Sequence, residues 1–191
     1  MLLNALRSAT AAQHASLHRD PLLAPLASGQ ADAAGVVRAL GVFASVYAVQ
    51  EPRARRGLAA LSAAAADELA AFPQAPVCAW LQADGIHPSG PAVPPLPLDT
   101  LEWQVGYAYV RQGSTLGGRV MHRALQQAGV GQHFLGGYGA QTGAQWRRFL
   151  DALAGAAPRL DSEAVCAAAV AAFASFEQAC VARREALALS A

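Results

Sequence analysis

The amino-acid sequence contains no convincing run of alternating apolar and polar residues, which is the pattern that a half-buried β-strand requires. Apolar residues recur instead at helical spacing along most of the chain. The length of 191 residues suits one domain with a substantial core, and the 54% hydrophobic content argues against a disordered chain. We therefore predict one all-α domain over residues 1–191, folded as a helical bundle.

Proline and glycine residues divide the helical pattern into segments. The predicted helices cover Leu2–Leu17, Leu22–Ala27, Ala31–Gln50, Arg53–Ala71, Ala75–Gln82, a segment from Asp99 or Thr100 to about Gln127, Thr142–Ala154 and Ser162–Leu187. We expect a break at Glu51-Pro52, because proline disfavours helical backbone in the residue before it. The proline-rich segment Asp84–Leu98 and the glycine-rich segment Gly129–Gly139 are predicted to be irregular connections. Asp99 or Thr100 can cap the helix that follows the first of them.

Charge, cysteine content and hydropathy narrow the function classes. The net charge of +1, without a long basic run, argues against a nucleic-acid surface. Cys78, Cys166 and Cys180 are odd in number and lack metal-type spacing, so we expect free, mostly buried thiols in a reducing compartment. We find no signal peptide, and the longest strongly apolar segment, Glu163–Phe176, is shorter than the ~20 residues that span a bilayer. These features predict a soluble cytoplasmic protein without membrane insertion.

The segment Gly113–Gly118 places two adjacent glycines, Gly117 and Gly118, inside a helical pattern. Each glycine costs about 1 kcal/mol relative to alanine in a helix. A helix with such a pair needs a kink, a close crossing with another helix, or a flat and bulky partner against its backbone. From the glycines alone, the close helix crossing is the favoured interpretation.

The first predicted helix carries Arg7 and His14 on one face, ~10 Å apart along the axis, with Thr10 between them. A neutral imidazole is a good axial ligand for haem iron, and an arginine on the same face suits a haem propionate. A single helical histidine is more often a partly exposed or internally satisfied residue, and a single arginine is usually solvated. The pair becomes informative only together with the rest of the sequence.

Three sequence blocks together resemble the biliverdin-producing haem oxygenases. Leu6-Arg7, Ala9-Thr10 and His14 look like the proximal-helix signature of that family, and Gly113–Gly118 resembles its distal-helix signature. A third block is formed by Phe134–Gly139 and the later Trp146–Phe149. The blocks follow the family's order and are similar to its bacterial branch associated with bacteriophytochromes.

The resemblance implies a haem oxygenase-like fold and a set of residue roles. It implies His14 as the proximal iron ligand and Ser114, Gly117 and Gly118 as the catalytic distal wall. It implies Arg7, Arg147 and, less directly, Arg111 near the haem propionates, while Thr10 belongs to the same haem-binding set. The expected reaction cleaves haem with O₂ to biliverdin, CO and ferrous iron. The electrons come from an external ferredoxin or flavoprotein reductase, and a bacteriophytochrome is the biliverdin acceptor that this branch implies.

Two departures from the family pattern keep other functions open. His18 stands where many members place a carboxylate that orients the proximal imidazole, and Ser114 stands where animal-type members carry a distal aspartate. A haem-binding carrier or sensor without turnover is therefore one alternative. A di-iron oxidase is another, although no Glu-x-x-His motif occurs. The third is a helical interaction module in which Gly117 and Gly118 form a packing notch.

Overall fold

The computed structural model describes residues 1–189, and these residues form helices and no β-strand. The helices are α1 (Leu2–Arg19), α2 (Ala24–Ala27), α3 (Ala33–Ala60), α4 (Ala63–Ala70), α5 (Val77–Ala83), α6 (Leu101–Leu125), α7 (Gln132–Gly136), α8 (Thr142–Ala156) and α9 (Ser162–Ala188). The prediction of an all-α fold is confirmed for this part of the chain. Residues 190 and 191 of the predicted domain lie outside the described residues.

Helix α9 lies at the centre of the packing and contacts α1, α3 and α6. Its contact face is built largely from small side chains, including the fully buried Ala168 and Ala169. On α6, a Cβ at Gly106 would lie 2.5 Å from the carbonyl oxygen of Val165. A side chain at position 106 would therefore force the two backbones apart. Through these contacts α9 joins helices from both halves of the chain.

Side-chain caps fix where several of the long helices begin. The Asp32 carboxylate accepts a hydrogen bond from the Gly35 N–H at 2.7 Å, which starts α3. Of the two candidates before α6, Thr100 is the cap, and its hydroxyl accepts from the Trp103 N–H at 3.4 Å. Asp161 caps α9 in the same manner. Helix α6 then runs without interruption through both glycines, as predicted.

The predicted break at Pro52 does not occur, because α3 continues through this residue to Ala60. Proline removes one helical hydrogen bond and crowds the carbonyl of Ala48, but Ala48 is exposed and its carbonyl can reach water. The helix is also held by tertiary contacts on both sides of the proline. Gln50 binds the backbone of the proline-rich segment, and the Ala54 carbonyl accepts from the Gln104 side chain at 2.8 Å. These contacts outweigh the local cost of the proline.

Two further boundaries differ from the sequence-based expectation. The predicted helix Arg53–Ala71 is divided into the end of α3 and the separate α4, since the Ser62 hydroxyl accepts from the Ala65 N–H and starts a new helix. The expected connection Gly129–Gly139 contains the short helix α7. Its first turn is capped from a distance by Asp84, whose carboxylate accepts from the Phe134 N–H at 2.8 Å.

No apolar segment long enough to cross a membrane was expected from the sequence, but two helices of the structure are long enough. Helices α3 and α9 have 28 and 27 residues, with hydropathy of 1.4 and 1.7 in their most apolar windows. In this fold 56% and 44% of those windows are buried. Long buried core helices of soluble proteins have the same length and composition, so these two helices are weak evidence for a membrane span.

All three cysteines are free, as expected, but they are not uniformly buried. Cys180 is fully buried on α9, Cys166 is half-buried, and Cys78 on α5 is exposed. Burial raises the pKa of the Cys180 thiol to about 12, so this thiol is inert at neutral pH. The expectation of mostly buried thiols was wrong for Cys78.

Candidate functional site

A cleft of about 250 Å³ lies between helices from distant parts of the chain. Helix α1 contributes His14, Leu17 and His18 to its lining, and α6 contributes a strip that includes Gly113, Ser114, Gly117 and Gly118. We call this space the α1–α6 cleft. The rest of its surface is largely apolar, with side chains from α3, α7, α8 and α9 that include Phe43, Phe134, Leu135, Trp146, Phe173 and Phe176. A small number of polar groups in an apolar surface is typical of a ligand site, and the volume lies just below the usual range of roughly 300–1,000 Å³.

The structure brings His14 to this cleft with both ring nitrogens free of hydrogen bonds to any residue within 1–189. The imidazole packs edge-on against Phe173, with ring centroids 6.0 Å apart, and lies beside His18. Partial desolvation in the cleft lowers the pKa of His14 below its usual value of 6.5, although the side chain is exposed at its edge, and repulsion from His18 lowers it further. Both effects favour the neutral imidazole, which is the form that can ligate a metal.

The three glycines of α6 that line the cleft divide into two that face open space and one that packs against another helix. A Cβ at Gly113 would meet no atom within 4 Å, and one at Gly117 would meet only the methyl group of Met121 at 3.5 Å. A Cβ at Gly118 would instead lie 3.0 Å from the Leu135 carbonyl oxygen on α7. Packing thus explains Gly118. No protein neighbour requires glycine at Gly113 or Gly117, where the bare helix backbone lines the cleft.

Ser114 is the polar residue of the α6 strip, and it has a partner that sequence reasoning missed. Its hydroxyl donates to the Arg111 carbonyl at 2.7 Å and lies 3.1 Å from the hydroxyl of Tyr47 on α3. Because the serine proton is already used, Tyr47 is the donor in this second bond. Tyr47 is fully buried, and burial raises its pKa far above the usual value. The pair places a neutral tyrosine proton next to the cleft-lining serine.

Arg111 does not line the cleft, so the expectation that it approaches a propionate there is not met. Its guanidinium is buried, forms an ion pair with Glu51 at 3.2 Å and donates to the Gln74 side chain at 2.5 Å. Tyr107 also donates to Glu51, at 2.7 Å. Burial opposes the charge on Arg111, but the Glu51 carboxylate together with Tyr107 and Tyr47 outweighs it, so the arginine pKa is raised. The cluster of Glu51, Tyr107 and Arg111 is a buried structural network beneath Ser114.

The remaining predicted haem-binding residues lie outside the cleft lining. Thr10 is buried, and its hydroxyl donates to the Leu6 carbonyl of the same helix at 2.8 Å. Arg7 and Arg147 are exposed, and neither forms an ion pair with another described residue. Arg147 follows Trp146, which does line the cleft. Both arginines therefore remain available for an anion at the surface, whereas the Thr10 hydroxyl is used in a hydrogen bond within α1.

The aromatic lining contains residues that the sequence blocks did and did not indicate. Phe134 and Trp146 belong to the third block, and both line the cleft. Phe43 on α3 and the pair Phe173 and Phe176 on α9 were not predicted. Their spacing gives a usable signal, since Phe43 and Tyr47 are four residues apart and the α9 pair is three apart, which places each pair on one helix face.

Acidic ligands do not gather at this site or elsewhere in residues 1–189, where no group of three or more His, Cys, Asp or Glu side chains could hold a metal ion. The cleft thus offers histidine as its metal-ligating side chain. Comparison with protein-family models, with curated proteins and with solved structures finds no match to this chain. The functional conclusion therefore depends on the chemistry of the cleft and on the sequence blocks that form it.

Proposed function

We propose that this chain is a haem oxygenase that binds haem in the α1–α6 cleft and cleaves it to biliverdin, CO and ferrous iron. The observation that carries the proposal is that His14 and the bare backbone at Gly113 and Gly117 line one apolar cleft. The sequence resemblance assigns these same segments to the two faces of haem. The haem oxygenase-like fold and the cytoplasmic location belong to this proposal.

The residues present fit a haem group on three counts. The neutral imidazole of His14, with both nitrogens free, is the donor that haem iron takes from proteins such as globins and peroxidases. Gly113 and Gly117 leave space that a Cβ would occupy, which suits the approach of a flat ring to the helix backbone. The phenylalanine side chains around them supply the apolar contacts that a porphyrin needs.

The chain's own residues have separate roles in binding haem and in positioning the groups around it. His14 would hold the iron from α1, and the bare backbone at Gly113 and Gly117 would leave room for O₂. Ser114 would offer the free lone pair of its hydroxyl oxygen to a water near that space, because its own proton goes to the Arg111 carbonyl and Tyr47 donates to it from the buried side. Arg7 and Arg147 are exposed and form no ion pair with another described residue, and we assign them to the propionates on the sequence resemblance. When bound, haem supplies both the iron that binds O₂ and the ring carbon that is oxidised.

The reaction needs partners that the chain does not contain. Electrons must come from a separate ferredoxin or flavoprotein reductase, because the sequence has no flavin, nicotinamide or iron–sulfur signature. A bacteriophytochrome is the proposed acceptor of biliverdin, and this part of the proposal comes from the branch of the family that the sequence resembles. No nucleic-acid or membrane partner is part of the proposal.

A haemin titration followed by reduction in air tests the proposal. We expect a Soret band on binding, and its loss with growth of a biliverdin band after addition of ascorbate or a ferredoxin–reductase system. His14→Ala and the double variant His14→Ala/His18→Ala should lose turnover, whereas His87→Ala, in an exposed loop, should retain it. Absence of haemin binding, or full activity in the double variant, would contradict the proposal.

A haem carrier or sensor without turnover is the second candidate, and His18 favours it. This imidazole lines the cleft beside His14, where the resembled family often uses a carboxylate to orient the ligand. The carrier would form a stable haem complex whose Soret band survives reductant and air. The same titration therefore distinguishes the two functions.

A further inference from the structure

His14 and His18 occupy consecutive turns of α1, and their rings lie side by side in the cleft. The ring centroids are 4.5 Å apart, with an angle of 41° between the ring planes. Residues four apart share one helix face, so both side chains reach the same space. Neither ring forms a hydrogen bond with another residue in the described part of the chain, which leaves its nitrogens free for a ligand.

Two imidazoles in this arrangement suit a divalent transition-metal ion. Zinc metalloproteases use two histidines at the same helical spacing to bind one ion. Zinc–nitrogen bonds are about 2.0–2.1 Å long, so two nitrogens on one ion lie roughly 3 Å apart. Rings with centroids 4.5 Å apart reach that separation by rotation about their side-chain bonds. Imidazole also binds Ni²⁺ and Cu²⁺ well, so the site is expected to accept several such ions.

We propose that the haem-free chain binds one divalent transition-metal ion between His14 and His18. Water completes the coordination, because no third His, Cys, Asp or Glu side chain among residues 1–189 joins the pair. With two protein ligands the ion exchanges readily. The ion and haem exclude each other, since both take the imidazole of His14. This exclusion rests on the proposed function, whereas the binding of the ion does not.

Titration of the haem-free full chain with Zn²⁺ or Ni²⁺ tests the metal site. We expect one ion per chain by calorimetry, with changes in the NMR signals of both histidine rings. His14→Ala and His18→Ala should each weaken binding by about tenfold or more, since even loss of a residue that only supports a metal ligand has that effect. Both side chains are exposed, so these variants should fold normally, which circular dichroism checks.

His87→Ala and His133→Ala are matched controls, because both histidines are exposed and lie outside the cleft lining. These variants should bind the ion as the wild type does. Absence of binding in the wild type would overturn the proposal. Loss of binding in only one of the two α1 variants would also overturn it, since the site would then be a single histidine.

Competition with haemin tests the exclusion separately. Saturating Zn²⁺ should raise the haemin concentration needed for half-maximal binding in the wild type, and His18→Ala should remove this effect. Unchanged haemin binding in the presence of bound Zn²⁺ would contradict the exclusion. If haemin fails to bind at all, the proposed function fails while the metal titration still stands. If haemin binds and the metal does not, only the present inference fails.

Discussion

The hydroxyl of Tyr47 lies 3.1 Å from Ser114 Oγ and donates to it, while Ser114 donates to the Arg111 carbonyl. The two residues are 67 positions apart in the chain, and Tyr47 is fully buried. This bond connects the cleft-lining strip of α6 to the interior of α3. It makes the two hydroxyls unequal, because Ser114 has a second partner, whereas the Tyr47 hydroxyl forms no other hydrogen bond within residues 1–189.

Removal of the two hydroxyls should therefore have different effects on stability. Tyr47→Phe deletes the buried donor and leaves Ser114 bonded to Arg111, so the free energy of unfolding should fall by only about 0.5–1.5 kcal/mol. Ser114→Ala leaves the Tyr47 hydroxyl buried without a partner and should cost about 1–3 kcal/mol. Urea denaturation measures both values. A larger loss in Tyr47→Phe than in Ser114→Ala would contradict the bond direction.

The glycines of α6 should separate into ligand-facing and packing positions. Gly117→Ala has room for its methyl group beside Met121 and should stabilise the helix by about 1 kcal/mol, which raises Tm by roughly 2–4 °C. The same methyl group enters the cleft and should weaken haemin binding. Gly118→Ala should lower Tm, because its Cβ presses on the Leu135 backbone. Thermal denaturation of the two variants provides the comparison, and equal shifts in both would refute this distinction.

The pKa of His14 should respond to its neighbour in a defined direction. Burial, and then repulsion by His18, hold it below 6.5, so His18→Ala should raise it towards 6.5 without reaching it. NMR titration of the His14 ring measures the change. A His14 pKa that stays the same in His18→Ala would show that the two rings do not interact electrostatically.

The same pKa shift gives a pH dependence of stability. The unfolded chain binds a proton at position 14 near pH 6.5, whereas the folded chain does so only at lower pH. The contribution of His14 is therefore complete above pH 6.5 and is lost as the pH falls below that value. Denaturation midpoints between pH 5 and 7 should depend less on pH in His14→Gln than in the wild type.

The Glu51–Arg111 pair should contribute far more to folding than the exposed Glu68–Arg159 pair. Glu51→Ala leaves the buried guanidinium without its carboxylate and should destabilise the chain by about 3–5 kcal/mol. Glu68→Ala removes an ion pair whose arginine is 62% exposed, so stability should stay nearly unchanged. Chemical denaturation of both variants is the test, and similar losses would contradict the assigned burial.

Local sequence pattern predicted the helices well where local contacts decide the structure. Helical spacing located α1, α6 and α9, and the candidate caps before α6 included the residue that the structure uses. It failed at Pro52, where Gln50 and Ala54 hold the helix through contacts with distant segments. It also missed α7, whose first turn depends on Asp84, about 50 residues earlier.

In the candidate site, too, residues within local motifs were predicted and residues that depend on distant partners were not. His14 and the glycines were indicated by their own segments, because each lies within a short recognisable block. Arg111 was expected near a propionate, whereas it lies in a buried ion pair with Glu51. Glu51 is 60 residues away in the chain, so no local sequence pattern predicts the pair. Tyr47 was missed for the same reason. Residues whose roles depend on a partner from another helix need the three-dimensional structure.

Helices α1 and α6 each pack extensively on α9 but make few direct contacts with each other. The helix that carries His14 and the helix that carries the glycines are therefore coupled mainly through a third helix. A ligand that bound both would add a direct link between them and make their opening motions cooperative. Amide hydrogen exchange in α1 and α6 should then slow together when the cleft is filled, even in turns that touch no ligand atom. Ligand binding in the cleft would then be measurable as slower amide exchange in both helices at once.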